Sequence, residues 1–347
     1  MIETFDAGLE VVKGVFNTLE IDDEWSEWND RGFEWWGQNL RQRVWASPGY
    51  DDEGIIIYRV YAVTDTVRSI KKPLNEVDVF LGVPNSLSVG SAYVFDPSDR
   101  SVRLWTTATV HKDIAEWIAR LLSCFAILQT IDATSSAQVL ASELDGEIDT
   151  SGHPLSGLRA EPDGMFGVME EVFLPQGRGR SPWNGNPEIT SICEMLNRTN
   201  CFSMGDEKGL TAEFPFGDDT SMLRIITDDP HPVLGSGVGL YLHLPMWGSY
   251  EDASMIAGAL NRAETNSKAM SHLMGSWCAT TIGDNSLPAF ASFFPTTTHQ
   301  SGLLTNMVFS AVRRGNWVGQ FLNPNTSASD VMSIVMKRFG VRADPNG

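Results

Sequence analysis

Cysteine is scarce in this sequence: Cys124, Cys193, Cys201 and Cys278 are the only four in 347 residues. None forms a C-x-x-C pair, and the spacing of Cys193 and Cys201 fits no zinc template. Cys124 and Cys278 lie in apolar stretches and read as small buried hydrophobes. This usage excludes a disulfide framework and points to a reducing compartment, with the cytoplasm expected. Cations are also few. Lys and Arg number 25 against 44 Asp and Glu, a net charge of −19. That excludes a phosphate-tracking surface for nucleic acid, which needs clustered Lys and Arg. No uncharged apolar run approaches the roughly 18 residues of a membrane span, so no membrane insertion is expected. Met1 to Leu19 carries Glu3, Asp6 and Glu10 where a secretory signal would be basic and then apolar, so none is expected.

The usual catalytic signatures are missing too. There is no G-x-S-x-G elbow and no H-E-x-x-H helix. Gly235-Ser-Gly-Val-Gly precedes a strand signal and lacks a following Gly-Lys-Ser or Gly-Lys-Thr, so it reads as a turn and not a phosphate loop. His231, His243 and His272 are isolated and give no metal spacing. Gln176-Gly-Arg-Gly-Arg180 is a short basic patch in loop-like sequence. No catalytic set, cofactor or metal is expected.

What is present is a hydrophobic content of 42%, enough for ordinary cores. The length suits two domains at roughly 100–200 residues each. Acidic runs recur at turns: Asp22-Asp23-Glu24, Asp51-Asp52-Glu53, Asp218-Asp219 and Asp228-Asp229. They read as solvated turns, and in a sharper reading as a surface attracting a basic partner. Five of the eleven tryptophans crowd between Trp25 and Trp45. Trp25, Trp28 and Trp36 fit one helical stripe (i, i+3, i+11) with Gly32 as a weak spot, so a helix is expected here. Such a stripe is usually core, but partner-binding surfaces also use aromatics.

Strand signals follow over Leu40–Ser47, Gly54–Val67, Val77–Val83, Ser91–Phe95 and Ser101–Thr109, with Pro84 ending the third. Ile114, Trp117, Ile118, Leu121, Leu122 and Phe125 then mark one buried helix face. Residues 134–188 are rich in Gly, Pro and Ser and read as a linker with some ordered segments, including a strand at Met165–Leu174. From Ile189 the pattern restarts: a helix, strands at Gly209–Pro215, Met222–Thr227 and Val238–Leu244, a helix at Tyr250–Glu264, strands at Leu273–Ile282 and Ala289–Pro295, and helices at Gly302–Val312 and Ser329–Phe339.

The halves end alike. Gly90-Ser91 and Gly275-Ser276 each open a hairpin with an Asp-containing turn and a Thr-rich second strand, and His111 and His299 each precede a helix. The expectation is α+β: two tandem antiparallel-sheet sandwiches over residues 1–133 and 189–347, each helix, three strands, an optional helix, two strands, helix. The middle helix is expected to be missing from the first copy. This element order, over about residues 24–133 and 189–322, resembles the type III secretion chaperone-like fold that also covers the YbjN family. Secretion chaperones of that fold dimerise around an extended client segment. The resemblance therefore implies a monomeric pseudo-dimer, or a homodimer, that captures a protein or peptide client. Contacts are expected at Trp25, Trp28, Trp35, Trp36 and Tyr241. The alternative is an enzyme of unrecognised type, with Asp228, His231, His243 or His299 in a cleft between the halves.

Overall fold

The computed structural model of the chain describes residues 5–167, 182–183, 186–199, 201–267 and 274–340. Its fold is α+β, with two antiparallel sheets in tandem. Half one opens with α1 (Ala7–Thr18), capped by the Asp6 carboxylate on the Leu9 N–H. Strands β1 (Ser26–Asn29), β2 (Gly32–Trp35), β3 (Gln42–Ala46) and β5 (Ile55–Arg68) form a meander, and the short β4 (Tyr50–Asp52) folds back on β5. Helix α2 (Leu74–Leu87), the hairpin β6 (Ala92–Asp96) and β7 (Ser101–Val110), and helix α3 (Ala115–Glu143) complete it, and β8 (Glu147–Ile148) adds to β5.

Half two repeats the plan. It runs α4 (Asn186–Asn197), the meander β9 (Phe202–Asp206), β10 (Gly209–Phe216), β11 (Asp219–His231) and β12 (Gly235–His243), then α5 (Tyr250–Asn266), the hairpin β13 (Ser276–Ile282) and β14 (Asn285–Pro295), and α6 (Leu303–Gly319). Helix α7 (Ala328–Phe339) follows. In both sheets the last meander strand pairs with the second hairpin strand, giving the matching orders β1-β2-β3-β5-β7-β6 and β9-β10-β11-β12-β14-β13. The repeated unit is thus helix, four strands, helix, two strands, helix; the expected three-stranded meander is corrected to four.

Three further expectations are corrected. The tryptophan-rich segment is not a helix but a single 3-10 turn at Asp23–Trp25 followed by the β1–β2 hairpin. The helix leading half one is α1. Gly32 shows why: a Cβ there would lie 2.2 Å from the Val44 carbonyl oxygen, so the residue marks a close strand approach. Val77–Val83 is not a strand but part of α2, which carries Pro84 inside it; the first copy has its middle helix. Its buried positions, Val77, Asp78, Leu81, Gly82 and Asn85, follow a helical repeat, but three of the five are polar or glycine. Val83, which closes the expected strand, is exposed on this helix.

Residues 134–143 belong to α3, and the stretch after β8 lies on half one rather than bridging space. Thr150 bridges Leu40, Asn39 brackets the Arg159 backbone, and the Asp163 N–H donates to the Gly37 carbonyl. The expected strand at Met165–Leu174 begins in a helical turn, and the rest of it lies outside the described residues, as do Gln176–Arg180 and His272. By length and composition α3 could cross a membrane, yet most of its most apolar stretch is buried inside the protein. Buried residues circle it, including Ile118, Leu122, Phe125, Ala126, Ile127 and Thr130, because it packs on sheet one and also meets half two at Phe125–Phe294, 5.4 Å between rings.

The halves meet across α2 and α5 with near twofold correspondence. Each helix carries Gly-x-x-Asn, Gly82 to Asn85 and Gly258 to Asn261. Asn85 clamps the edge-strand backbone at Tyr93 (2.7 and 3.1 Å), and Asn261 clamps Trp277 in the same way (2.8 and 2.9 Å). The glycines admit the opposite helix: a Cβ on Gly82 would meet Ser254 and Tyr250 at 3.0 Å, and one on Gly258 would meet Asp78 at 2.2 Å. Reciprocal contacts of this kind define an isologous interface. One pair breaks the symmetry. Asp78 and Arg262 form a bidentate ion pair at 2.6 and 2.7 Å, with side chains only 1% and 3% exposed.

Candidate functional site

An open cavity lies between the start of α3 and α6. Ile114, Trp117, Ile118 and Leu121 form one wall at i, i+3, i+4 and i+7. Leu303, Met307, Ser310 and Arg314 of α6 form the other at i, i+4, i+7 and i+11. Leu240, Phe290 and Phe294 make the floor, and the cavity volume is about 310 Å³. The equivalent helices of the two copies therefore face each other across the second sheet. An adjoining hollow of about 330 Å³ shares Trp117 and Leu121 and reaches Cys124 and His299. Another, of about 420 Å³, shares Phe309 and Arg313 and reaches Trp317.

Beneath the cleft sits a buried ionic cluster. Glu264 on α5 accepts from Arg314 Nε at 2.6 Å, from Arg314 Nη2 at 3.1 Å and from Trp277 Nε1 at 2.7 Å. The Arg314 guanidinium lies 3.7 Å over the Phe290 ring, a cation–π contact. The cleft is therefore an apolar trough with a neutralised cation in its floor.

None of the five expected contact residues lines the cleft or the two hollows. Trp35 and Trp36 are corrected as surface contacts: both are buried. Trp35 stacks on Phe166, and Trp36 donates from Nε1 to Ser151 Oγ at 2.8 Å. Trp25 is half-buried under the Arg159 guanidinium, 5.1 Å from its ring. These three tryptophans hold the segment after β8 against sheet one. Trp28 is exposed, on Phe16 and Phe33 at 4.9 and 5.3 Å. Tyr241, half-buried on the other sheet, donates from its hydroxyl to Asp229 at 2.6 Å.

The residues of the enzyme alternative are not joined to one another by any hydrogen bond among the described residues. Asp228 accepts from Ser236, and His231 Nε2 lies 3.1 Å from the Leu87 carbonyl of the other half. His299 meets the Trp183 ring edgewise at 4.9 Å. His243 lies on β12 opposite Met222, and its pKa is lowered by burial. Among the described residues no group of three or more His, Cys, Asp or Glu could hold a metal. All four cysteines are free, and burial pushes the Cys278 thiol up to about 12, away from the reactive thiolate.

A perturbed carboxyl stands elsewhere. Burial pushes Asp132 on α3 up to about 7 from 3.8. The hydroxyls of Tyr93, Ser135 and Ser136 donate to its backbone oxygen and not to its carboxylate. It lines neither the cleft nor the two hollows. A carboxyl pKa raised by folding means the native state holds the proton longer, so stability is highest below the unfolded value and falls as pH rises through 4 to 7. Asp132→Asn removes that dependence. The expected result is a gain of about 1–2 kcal/mol at pH 8, the linkage value discounted because the side chain keeps some solvent contact. The gain should vanish near pH 4, and thermal melts at both pH values check it.

Sequence reasoning placed Trp117, Ile118 and Leu121 on a buried face but not beside a cavity. Phe309 and Arg313 gave no signal, since what makes them rim residues is the approach of the other half. Compared with protein-family models, with curated proteins and with solved structures, the chain matches none.

Proposed function

We propose that this chain is a cytoplasmic, non-enzymatic protein-binding protein, chaperone-like in architecture, that holds an apolar segment of a partner protein between its two halves. The observation that carries this reading is the open apolar cleft between α3 and α6, walled by residues of both copies. Peptide capture of this type inserts spaced apolar anchors into a groove between helices. The twofold-like α2–α5 interface supports a pseudo-dimer within one chain, so a monomer is expected in solution. The four free thiols, two of them buried, agree with a reducing compartment.

The test is to fill the cleft. Ser310 lines it and is half-buried on α6, so Ser310→Trp projects an indole into the trough. A partner captured by the wild-type chain should be lost by at least 10-fold with Ser310→Trp, at unchanged circular dichroism and melting temperature. Equal capture by the filled variant would place partner binding elsewhere and overturn the reading.

A further inference from the structure

The chain's composition and its cleft disagree in sign. About one residue in eight is Asp or Glu, yet among the described residues neither the cleft nor its two adjoining hollows has an acidic residue in its lining. The charged side chains among the described residues that line them are all basic: Arg313 and Arg314, and Arg120 in the hollow beyond Trp117. Two of these are answered inside the protein, Arg314 by Glu264 and Arg120 by Glu116 at 2.7 Å. Arg313 is different. It is exposed on α6 at the rim shared by the cleft and the second hollow, and it makes no ion pair among the described residues. His111 stands on the facing rim, its Nδ1 3.6 Å from Asp113.

We infer that the occupant of the cleft is an acidic-apolar peptide segment, with spaced apolar side chains in the trough and a carboxylate meeting Arg313. The inference rests on the proposed cleft-binding reading and gives its partner a chemistry. A net charge of −19 on its own points to a basic partner. Locally the sign is reversed, because a basic segment would bring its own cation against Arg313, where no carboxylate among the described lining residues could answer it. An acidic segment gains a charge-assisted, bidentate contact there, while the acidic outer surface repels it if it is bound out of place. Specificity then comes from repulsion as much as attraction.

The experiment is a selection of phage-displayed random 12-residue peptides on the full-length chain, followed by fluorescence anisotropy of the enriched peptides on wild type, Arg313→Glu and Ser310→Trp. The expected result is enrichment of Asp or Glu beside apolar residues. Binding should weaken by at least 10-fold in Arg313→Glu, and Lys-for-Glu versions of the peptides should regain affinity for that variant. Arg313 is exposed, so its replacement leaves the fold intact, which a thermal melt verifies. Enriched peptides that Ser310→Trp blocks but that are basic or uncharged, or that ignore Arg313→Glu, overturn the charge inference and leave the cleft reading standing. Peptides indifferent to Ser310→Trp, or no enrichment at all, overturn both.

Discussion

Arg262→Met is expected to destabilise the protein by about 3–5 kcal/mol, the range for removing one partner of a buried ion pair. The loss arises because the Asp78 carboxylate remains without its cation, its side chain only 1% exposed. The α2–α5 interface is tight: the Asp78 carboxylate lies 2.2 Å from where a Cβ of Gly258 would be, while the Asn85 and Asn261 clamps fix each helix to the edge strand of its own half. Urea melts should show a lower midpoint, with loss of the single cooperative transition as the halves undock. Combining Asp78→Asn with Arg262→Met should recover part of the loss, because it removes the orphaned charge. A single variant costing under about 1 kcal/mol would mean the pair is solvated. The pair also sets which halves can meet. Position for position, Asp78 corresponds to Ser254 and Arg262 to Ser86. Pairing half one with another half one would bury Asp78 opposite no cation, and two copies of half two would strand Arg262. The charge pair therefore selects docking of unlike halves over either self-pairing.

Glu264→Leu is expected to cost a comparable amount, about 3–5 kcal/mol, by taking away the carboxylate paired with the buried Arg314 guanidinium. The Glu264 and Arg314 side chains are 0% and 2% exposed. The same substitution takes the acceptor from Trp277 Nε1, an additional loss of about 1 kcal/mol. The Phe290 ring beneath the guanidinium offsets only a fraction of this. Glu264→Gln should cost less than Glu264→Leu, since the amide oxygen can still accept one of these hydrogen bonds. Urea denaturation of the two variants separates the outcomes, and equal losses would show that the missing charge, and not the remaining acceptor, sets the cost at this site. Arg314 also lines the cleft, so releasing its charge should strengthen binding of acidic-apolar peptides to whatever fraction remains folded.

Much of the fold was written locally. Strands β3, β5, β7, β10 and β12 and helices α3, α5 and α6 announce themselves through alternation or a 3.6-residue repeat. The Gly-Ser hairpins and the histidines before α3 and α6 made the duplication legible. Reading failed where an element's partners come from far along the chain. Helix α2 was hidden because its buried face holds Asp78, Gly82 and Asn85, whose burial makes sense only once Arg262, Tyr250 and the β6 backbone are in place. The tryptophans of β1 and β2 mimicked a helical stripe by coincidence of spacing. Trp35 and Trp36 are buried by residues 151–166, a stretch whose Gly, Pro and Ser content signals a linker.

The sequence by itself determined the class, the doubling, the excess of negative charge and the free thiols, since composition and short-range periodicity depend only on neighbours along the chain. The cleft, its reversed charge and the lock between the halves were decided by tertiary structure alone. Each is made of side chains from both copies, such as Trp117 with Met307 and Asp78 with Arg262. A cavity between two packed bodies has no periodicity to read, because the space belongs to neither helix until they dock.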